Sequence, residues 1–374
     1  MAVSTDTDRL HLARAIELAQ RGRGRVSPNP LVGAVLVRDG EVVGEGHHAM
    51  YGGPHAEVAA IADAGPAGLG DATLYVSLEP CCHAGKTPPC TDAIIAAGIR
   101  RVVVASDDPS EYASGRGLGM LRDEGIDVEV DDGELAARAR RLNQPFRKHA
   151  RTGRPHVMLK SAISLDGKVA TESGDSKWIS GEQSRARAHG WRAECDAIAV
   201  GIGTVLADDP LLTARRSGPG GQPRRVVFDS LGRLPVHSQL VRTAQDVPLT
   251  VVVSRAAPRA ATGGLMSAGV DVVVATGENE PARVRSGLAQ LGAQGVTSIL
   301  LEGGPHLAGA FLDAGEIDEL RLFLAPIVLG GRSARDPIAG QGREKVADAV
   351  RALDPLDCES IDRDLLISAR LREW

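Results

Sequence analysis

Aromatic residues make up only 3% of this 374-residue chain, so its cores have to be assembled from Val, Ile, Leu and Ala. Long apolar runs are missing too. No stretch approaches the roughly 20 residues that a membrane-spanning helix needs, and the opening MAVSTDTDRL holds no apolar signal core. No membrane partner is expected, and the expected location is cytoplasmic. Excess positive charge is also lacking: a net charge of -5 and a pI of about 6.1 offer no general attraction to phosphate backbones, so nucleic acid is not an expected partner. Cysteine is sparse and odd in number. Of the five, Cys81, Cys82 and Cys90 crowd together, which excludes a disulfide framework and suits a reducing compartment.

What is present in quantity is glycine (44) and proline (21), alongside 43% hydrophobic residues. A chain of this length can bury two cores, since single domains usually run to about 100–200 residues. Short aliphatic segments alternating with helical patterns then predict α/β architecture throughout. Apolar residues Leu12, Ala15, Ile16 and Ala19 recur at helical spacing. Strands are predicted over 31–37 and 41–43 about the Asp39-Gly40 turn, then over 73–77, 101–105 and 126–130. Helices follow His55, Cys90 and the region of Leu118, giving an α/β/α first domain. The basic run from Arg147 to Pro155 reads as a solvated linker, which divides the chain into domains 1–146 and 156–374. In the second domain strands are expected at 156–163, 197–200, 225–228, 250–253, 270–274, 298–301, 320–324 and 365–371, with 217–223 as a loop.

The chemistry concentrates between residues 55 and 90. His55-Ala56-Glu57 is followed by Glu79-Pro80-Cys81-Cys82-His83 and by Thr87-Pro88-Pro89-Cys90. Zinc deaminases hold their metal with one histidine and two cysteines, keep a position for water, and use a nearby glutamate to move protons. That pattern assigns His55, Cys81 and Cys90 to the metal and Glu57 to the proton. Cys82 stands aside, because a fourth thiolate would close the site to water. His83 could ligate on chemistry alone. The spacing departs from the usual two residues between cysteines, since Ala84 occupies the place of a second ligand. The bland alternative is a purely stabilising metal site, which has no use for a carboxylate so close by. The i, i+2 offset of His55 and Glu57 in a first helical turn lets one side chain bind metal while the other addresses substrate.

In the second half Gly201-Ile202-Gly203 follows a strand, but Leu206 stands where the third glycine of a dinucleotide fingerprint would fall. Leu300-Leu301-Glu302-Gly303-Gly304-Pro305-His306 reads as a strand turning into a helix. Its free N–H groups either favour a phosphate or simply form a tight turn.

Pro28-Asn29-Pro30-Leu31-Val32-Gly33, His55-Ala56-Glu57 and Glu79-Pro80-Cys81 through Cys90 resemble the bifunctional riboflavin-biosynthesis deaminase/reductase family, in which a longer loop separates the cysteine ligands. The likeness extends to Gly153-Arg154-Pro155, Ser164-Leu165-Asp166-Gly167, Ser176-Lys177-Trp178-Ile179, Thr204 to Pro210 and Glu302-Gly303-Gly304. It implies a cytidine-deaminase-like α/β/α domain followed by a dihydrofolate-reductase-like α/β domain, with zinc and NADPH as cofactors. The implied substrate is a phosphoribosylaminopyrimidine, deaminated first and then reduced from ribosyl to ribityl. Asn29 is implied to recognise the pyrimidine ring, and the family counterpart of His83 is not a ligand. Ala162, Trp178, Thr204, Asp208, Ser230 and the loop Gly304, Pro305, His306, Leu307, Ala308, Gly309 and Ala310 fall on cofactor-binding places. Ser176, Arg192, Leu212, Arg215 and Glu302 fall on substrate-binding places, where a guanidinium suits a phosphate. Lys160 is a lower-ranked contact. Where the family commonly continues Asp107-Asp108-Pro109 with Asn, this chain has Ser110-Glu111-Tyr112. A homo-oligomer formed through the reductase domain is expected.

Overall fold

A computed structural model describes residues 5–66, 68–215 and 221–374. It divides into two compact units, one running to Thr152 with Trp374 added, the other from Gly153 to Glu373. Most of the predicted loop at 217–223 lies outside the described residues.

In the first unit the order is α1 (Asp6–Ala19), β1 (Gly33–Arg38), β2 (Glu41–His47), α2 (Ala56–Ala64), β3 (Thr73–Val76), α3 (Cys90–Ala96), β4 (Arg101–Val104), α4 (Arg116–Asp123), β5 (Asp127–Val130), α5 (Glu134–Leu142) and α6 (Gln144–Thr152). The five strands form one sheet ordered β2-β1-β3-β4-β5, antiparallel where β1 meets its neighbours and parallel from β3 onward. Because successive side chains of a strand point to opposite faces, β1 feeds two cores. Ala34 and Leu36 pack with Ala56, Ala60, Ile94 and Leu121, while Val35 and Val37 pack with Leu12, Ile16, Leu135 and Ala139. The result is the expected three-layer sandwich. Glycine decides how closely α2 lies on β2. A Cβ at Gly44 would come within 2.4 Å of the Ala60 carbonyl oxygen, and one at Gly46 within 2.3 Å of that of Ala56. That close approach fixes the first turn of α2, where Glu57 lies.

The predicted linker at 147–155 is mostly helix. Pro145 is the second residue of α6, a position where its missing N–H costs nothing, and the run is not solvated: Arg147 is 2% and Lys148 0% exposed. Arg147 donates to the Trp374 carbonyl at 2.5 Å and to the Asp107 carbonyl at 2.8 Å, so its charge is met by oxygens far away in sequence.

The second unit contains β6 (His156–Ile163), α7 (Glu182–Glu194), β7 (Ala197–Gly201), α8 (Ile202–Asp208), β8 (Arg224–Phe228), α9 (Gln239–Arg242), β9 (Leu249–Ser254), α10 (Arg259–Ser267), β10 (Asp271–Ala275), α11 (Glu280–Ala293), β11 (Ser298–Leu301), α12 (Pro305–Asp313), β12 (Glu319–Leu324), β13 (Asp357–Ile361) and β14 (Asp364–Arg370). Its nine-stranded sheet runs β10-β9-β8-β7-β11-β6-β12-β14-β13, parallel from β10 through β12 and antiparallel where β14 pairs with β12 and with β13. Alternation again serves two faces: Ala197 and Ala199 pack against Leu288 and Phe311, Ile198 and Val200 against Leu240 and Leu265. The segment Gly201-Ile202-Gly203 enters a short helix.

Candidate active sites

The first site gathers at the carboxyl ends of β3 and β4, the usual position in open α/β sheets. His55 is the extended residue just before α2, and Cys90 opens α3. Cys81 follows β3 by way of Glu79-Pro80. Glu79, to which motif reading assigned no role, is a positioning residue. Its buried carboxylate accepts N–H groups from Gly115 (3.0 Å), Gly117 (3.1 Å) and Asp108 (3.3 Å). It thereby ties the turn that carries Cys81 to the start of α4.

His55 Nδ1 lies 3.2 Å from Cys90 Sγ and 3.5 Å from Cys81 Sγ, and the three donor atoms all fall within 4.8 Å of one another. Two sulfurs and one imidazole nitrogen converging on a point are a donor set for zinc, with one tetrahedral position left for water. Cys82 is not in the cluster, since its sulfur faces the Tyr112 carbonyl at 3.6 Å. Nor is His83, which is exposed on the loop beyond it. Hydrogen bonding from Cys90 holds the Cys81 thiol down, to about 4, and the Cys90 thiol is correspondingly pushed up.

Glu57 lies beside this cluster and is only 3% exposed. Burial pushes its carboxyl up to about 7, the range a group needs to take and return protons near neutrality. A cavity of about 310 Å³ leads to it, lined by Asn29, His48, Tyr51, His55, Glu57, Cys81, His83, Lys86, Asp108 and Tyr112 among others. Asn29 Nδ2 is 3.2 Å from His48 Nε2, and His48 Nδ1 is 2.9 Å from the Pro54 carbonyl. A His48 that donates from Nδ1 must accept from Asn29, and burial lowers its pKa in keeping with the neutral ring. His48 and Lys86 escaped sequence reasoning, and Tyr112 was noted only within the departure from the family pattern; their clustering in space marks all three.

The second site is a cavity of about 1200 Å³ over the carboxyl ends of the parallel strands. Ala162, Ser176, Trp178, Arg192, Thr204, Asp208, Leu212, Arg215, Ser230, Glu302, Gly304, Pro305, His306 and Leu307 all line it. Ala308, Gly309 and Ala310 do not. Helical periodicity turns Ala308 and Ala310 into the core, at 0% and 3% exposure, and a Cβ at Gly309 would come within 2.2 Å of the Ala339 carbonyl. The neighbouring strands β7 and β11 both turn directly into helices here, through Gly201 and through Glu302-Gly303-Gly304. Helix α12 begins with Gly304 as its N-cap and no side chain capping it. Its first N–H groups and its dipole face the cavity, an arrangement that fits a dinucleotide phosphate.

Arg192 does not present a free fork. Its Nε and Nη2 donate to the two carboxylate oxygens of Glu302 at 2.6 and 2.9 Å, and its Nη1 donates to the Thr213 carbonyl at 3.1 Å. Burial pushes the Glu302 carboxyl up, but the Arg192 hydrogen bonds outweigh it and hold the group below its ordinary value. Lys160 lines the same end of the cavity, and burial lowers its pKa. The exposed Arg215 keeps its guanidinium at the rim, and Asp208 pairs with Lys177 at 3.0 Å.

The first unit is thus a zinc deaminase domain, and the second an α/β domain with a nucleotide-sized cavity at its strand ends. Comparison with known proteins agrees. A family model described as "RibD C-terminal domain" matches residues 155–367, and one described as "Cytidine and deoxycytidylate deaminase zinc-binding region" matches 5–106. The chain is 42% identical to "Riboflavin biosynthesis protein RibD" of Actinobacillus pleuropneumoniae over 97% of its own length and 95% of the relative's. For the Escherichia coli protein of that name the identity is 43%, over 91% and 94% of the two chains. Among solved structures, Acinetobacter baumannii RibD superposes with a TM-score of 0.86 at 37% identity, covering 98% of this chain and 99% of that one. A Thermotoga maritima diaminohydroxyphosphoribosylaminopyrimidine deaminase/5-amino-6-(5-phosphoribosylamino)uracil reductase gives 0.82 at 35% identity, with the same coverage. The chain belongs to the riboflavin-biosynthesis RibD family, and its two units are a zinc-dependent deaminase and an NADPH-dependent reductase acting on small molecules.

Proposed function

We propose that the protein deaminates 2,5-diamino-6-(5-phosphoribosylamino)pyrimidin-4-one in its first unit and reduces the ribosyl group of the product to ribityl in its second. The observation that carries this reading is the pairing, in one chain, of a His-Cys-Cys donor set flanked by a buried glutamate with a nucleotide-sized cavity whose far end holds Lys160, Arg192 and Glu302. His55, Cys81 and Cys90 would hold zinc, which would supply a water acidified to near neutrality. Glu57 would take a proton from that water and give it to the ring nitrogen, and a second proton, from the hydroxyl of the adduct, would pass through Glu57 to the departing ammonia. Asn29, oriented by His48, holds the pyrimidine edge. His83 and Lys86 at the exposed rim face the sugar-phosphate end.

In the second unit NADPH, when bound, would supply a hydride for reduction at C1′ of the opened sugar, the matching proton coming from water. Thr204, Ser230 and the Gly304-to-Leu307 turn bind the cofactor beside Ala162, Trp178 and Asp208. Ser176, Leu212, Arg215 and the Arg192–Glu302 pair hold the substrate, and positioning contributes most of the catalysis. Arg215 meets the phosphate. The protein works as a homo-oligomer through the reductase unit. The support for this is an exposed stretch carrying Val328, Val346, Val350, Leu353 and Leu356, with β13 as an open edge beyond it. A reducing cytosol suits its five free cysteines; among the described residues no helix is long and apolar enough to cross a membrane.

The test supplies the pyrimidine with and without NADPH and follows ammonia release and NADPH oxidation separately. Glu57→Gln is expected to keep zinc, abolish ammonia release and still reduce pre-deaminated substrate. Loss of both activities in a folded, zinc-loaded variant would refute the division of labour.

A further inference from the structure

The loop between the two cysteine ligands, residues 82–89, is exposed over most of its length, yet two aromatic rings from other parts of the chain grip it. On one side the Lys86 ammonium lies 4.0 Å from the centre of the Tyr51 ring. Tyr51 belongs to the turn before His55, where its N–H donates to the Arg25 carbonyl at 3.0 Å and Gly53 closes the turn onto Met50 at 3.0 Å. On the other side the His83 and Tyr112 rings are 5.3 Å apart with a tilt of 38°. Tyr112 lies in the segment that departs from the family pattern, and its carbonyl also accepts the Cys82 thiol. Both tyrosines are well exposed, at 45% and 59%, and both line the deaminase cavity together with His83 and Lys86. Exposed rings in two separate loops, each against a basic side chain of a third, mark the rim of this cavity.

The choice of partner matters chemically. A carboxylate would hold an ammonium just as firmly, but it would cancel the charge and occupy the donors that an anionic ligand needs. An aromatic face attracts the cation through its quadrupole and leaves the N–H groups and the net charge available. Among the described residues Lys86 forms no ion pair, so its charge is held in place without being neutralised.

We propose that Tyr51 and Tyr112 are positioning residues of the deaminase, holding Lys86 and His83 at the cavity rim for the phosphate of the substrate. The inference rests on the substrate reading given above, and it assigns to the tyrosines a part in substrate affinity and none in the chemical step. Their action is on KM, because the phosphate is gripped alike in ground and transition states.

The experiment uses the zinc-loaded full chain and measures ammonia release from the phosphorylated pyrimidine and from its dephosphorylated counterpart. Tyr51→Leu is expected to raise KM for the phosphorylated compound roughly two- to fivefold, the range of an exposed cation–π contact, and Tyr112→Leu, which removes the ring packed against His83, is expected to raise it as well. Zinc content, kcat and KM for the dephosphorylated compound should stay at wild-type values, and Tyr51→Phe, which keeps the ring, should restore the wild-type KM. In a Lys86→Met background Tyr51→Leu should add nothing further. An unchanged KM in both leucine variants, an equal rise for both compounds, or loss of zinc would overturn the assignment. A wild-type protein inert toward the phosphorylated pyrimidine would refute the substrate reading instead, and with it the anion for which these side chains are held.

Discussion

Replacing Arg192 by alanine separates two roles that a guanidinium in a substrate cavity can play. If it grips a phosphate, its loss raises KM and leaves the fold alone. The geometry predicts otherwise. Both forks of the pair are satisfied internally, at 2.6 and 2.9 Å, and the side chains of Arg192 and Glu302 are only 17% and 12% exposed. Removing one partner of a buried ion pair costs roughly 3–5 kcal/mol, because the other charge remains without its counterion. The nearby Lys160 ammonium and the residual solvent contact reduce this, to about 2–3 kcal/mol for the present pair. A unit of this size loses about 2–4 °C of melting temperature per kcal/mol, so Arg192→Ala should lower the reductase transition by roughly 5–10 °C in calorimetry. Reductase kcat should fall as well, since the Thr213 carbonyl beside Leu212 loses its donor. Adding Glu302→Gln to Arg192→Ala should recover most of the lost stability by removing the orphaned charge. An Arg192→Ala protein that melts within about 1 °C of wild type while its KM rises would refute this reasoning.

Metal analysis separates the sulfurs: Cys81→Ser and Cys90→Ser should each lose zinc and deaminase activity, whereas Cys82→Ser keeps one zinc per chain and most of its activity. Zinc loss from the Cys82 variant would overturn the donor set. The Glu302 carboxyl, held below its ordinary value in the folded chain, binds fewer protons there than when unfolded in the acid range. Its contribution to stability is therefore complete above the unfolded value of about 4.3 and is lost as pH falls through the lower folded one. Guanidinium unfolding midpoints measured from pH 6 down to pH 3 should fall more steeply for wild type than for Glu302→Gln; parallel curves would remove this group from the acid response.

Much of this protein is legible in its sequence because the decisive signals are local. Strand β6 was expected over 156–163 and forms there, since an aliphatic run bounded by proline and a turn leaves little choice. The metal site was legible for a different reason: the donors His55, Cys81 and Cys90, with the proton-carrying Glu57 beside them, are chemically rare types packed into one short stretch. Where burial depends on distant partners, the sequence is silent. Arg147 and Lys148 look solvated in a basic run, and it is oxygens of Ser106, Asp107 and Trp374 that meet the charge of the buried Arg147. Strand β13, read as Asp-Cys-Glu-Ser-Ile, has no apolar alternation because it lies at an exposed edge and takes its conformation from β14 alone. Arg192 and Glu302 were each placed in the reductase cavity, but their pairing across 110 positions was invisible. Residue types and their spacing marked the zinc chemistry of the first half, while the reductase chemistry of the second was implied by the family resemblance of its motifs. Tertiary structure decided which charges are neutralised, which helix faces turn to the core rather than to cofactor, and which tyrosines stand over the loop between the zinc ligands, because those depend on distances that folding alone makes short.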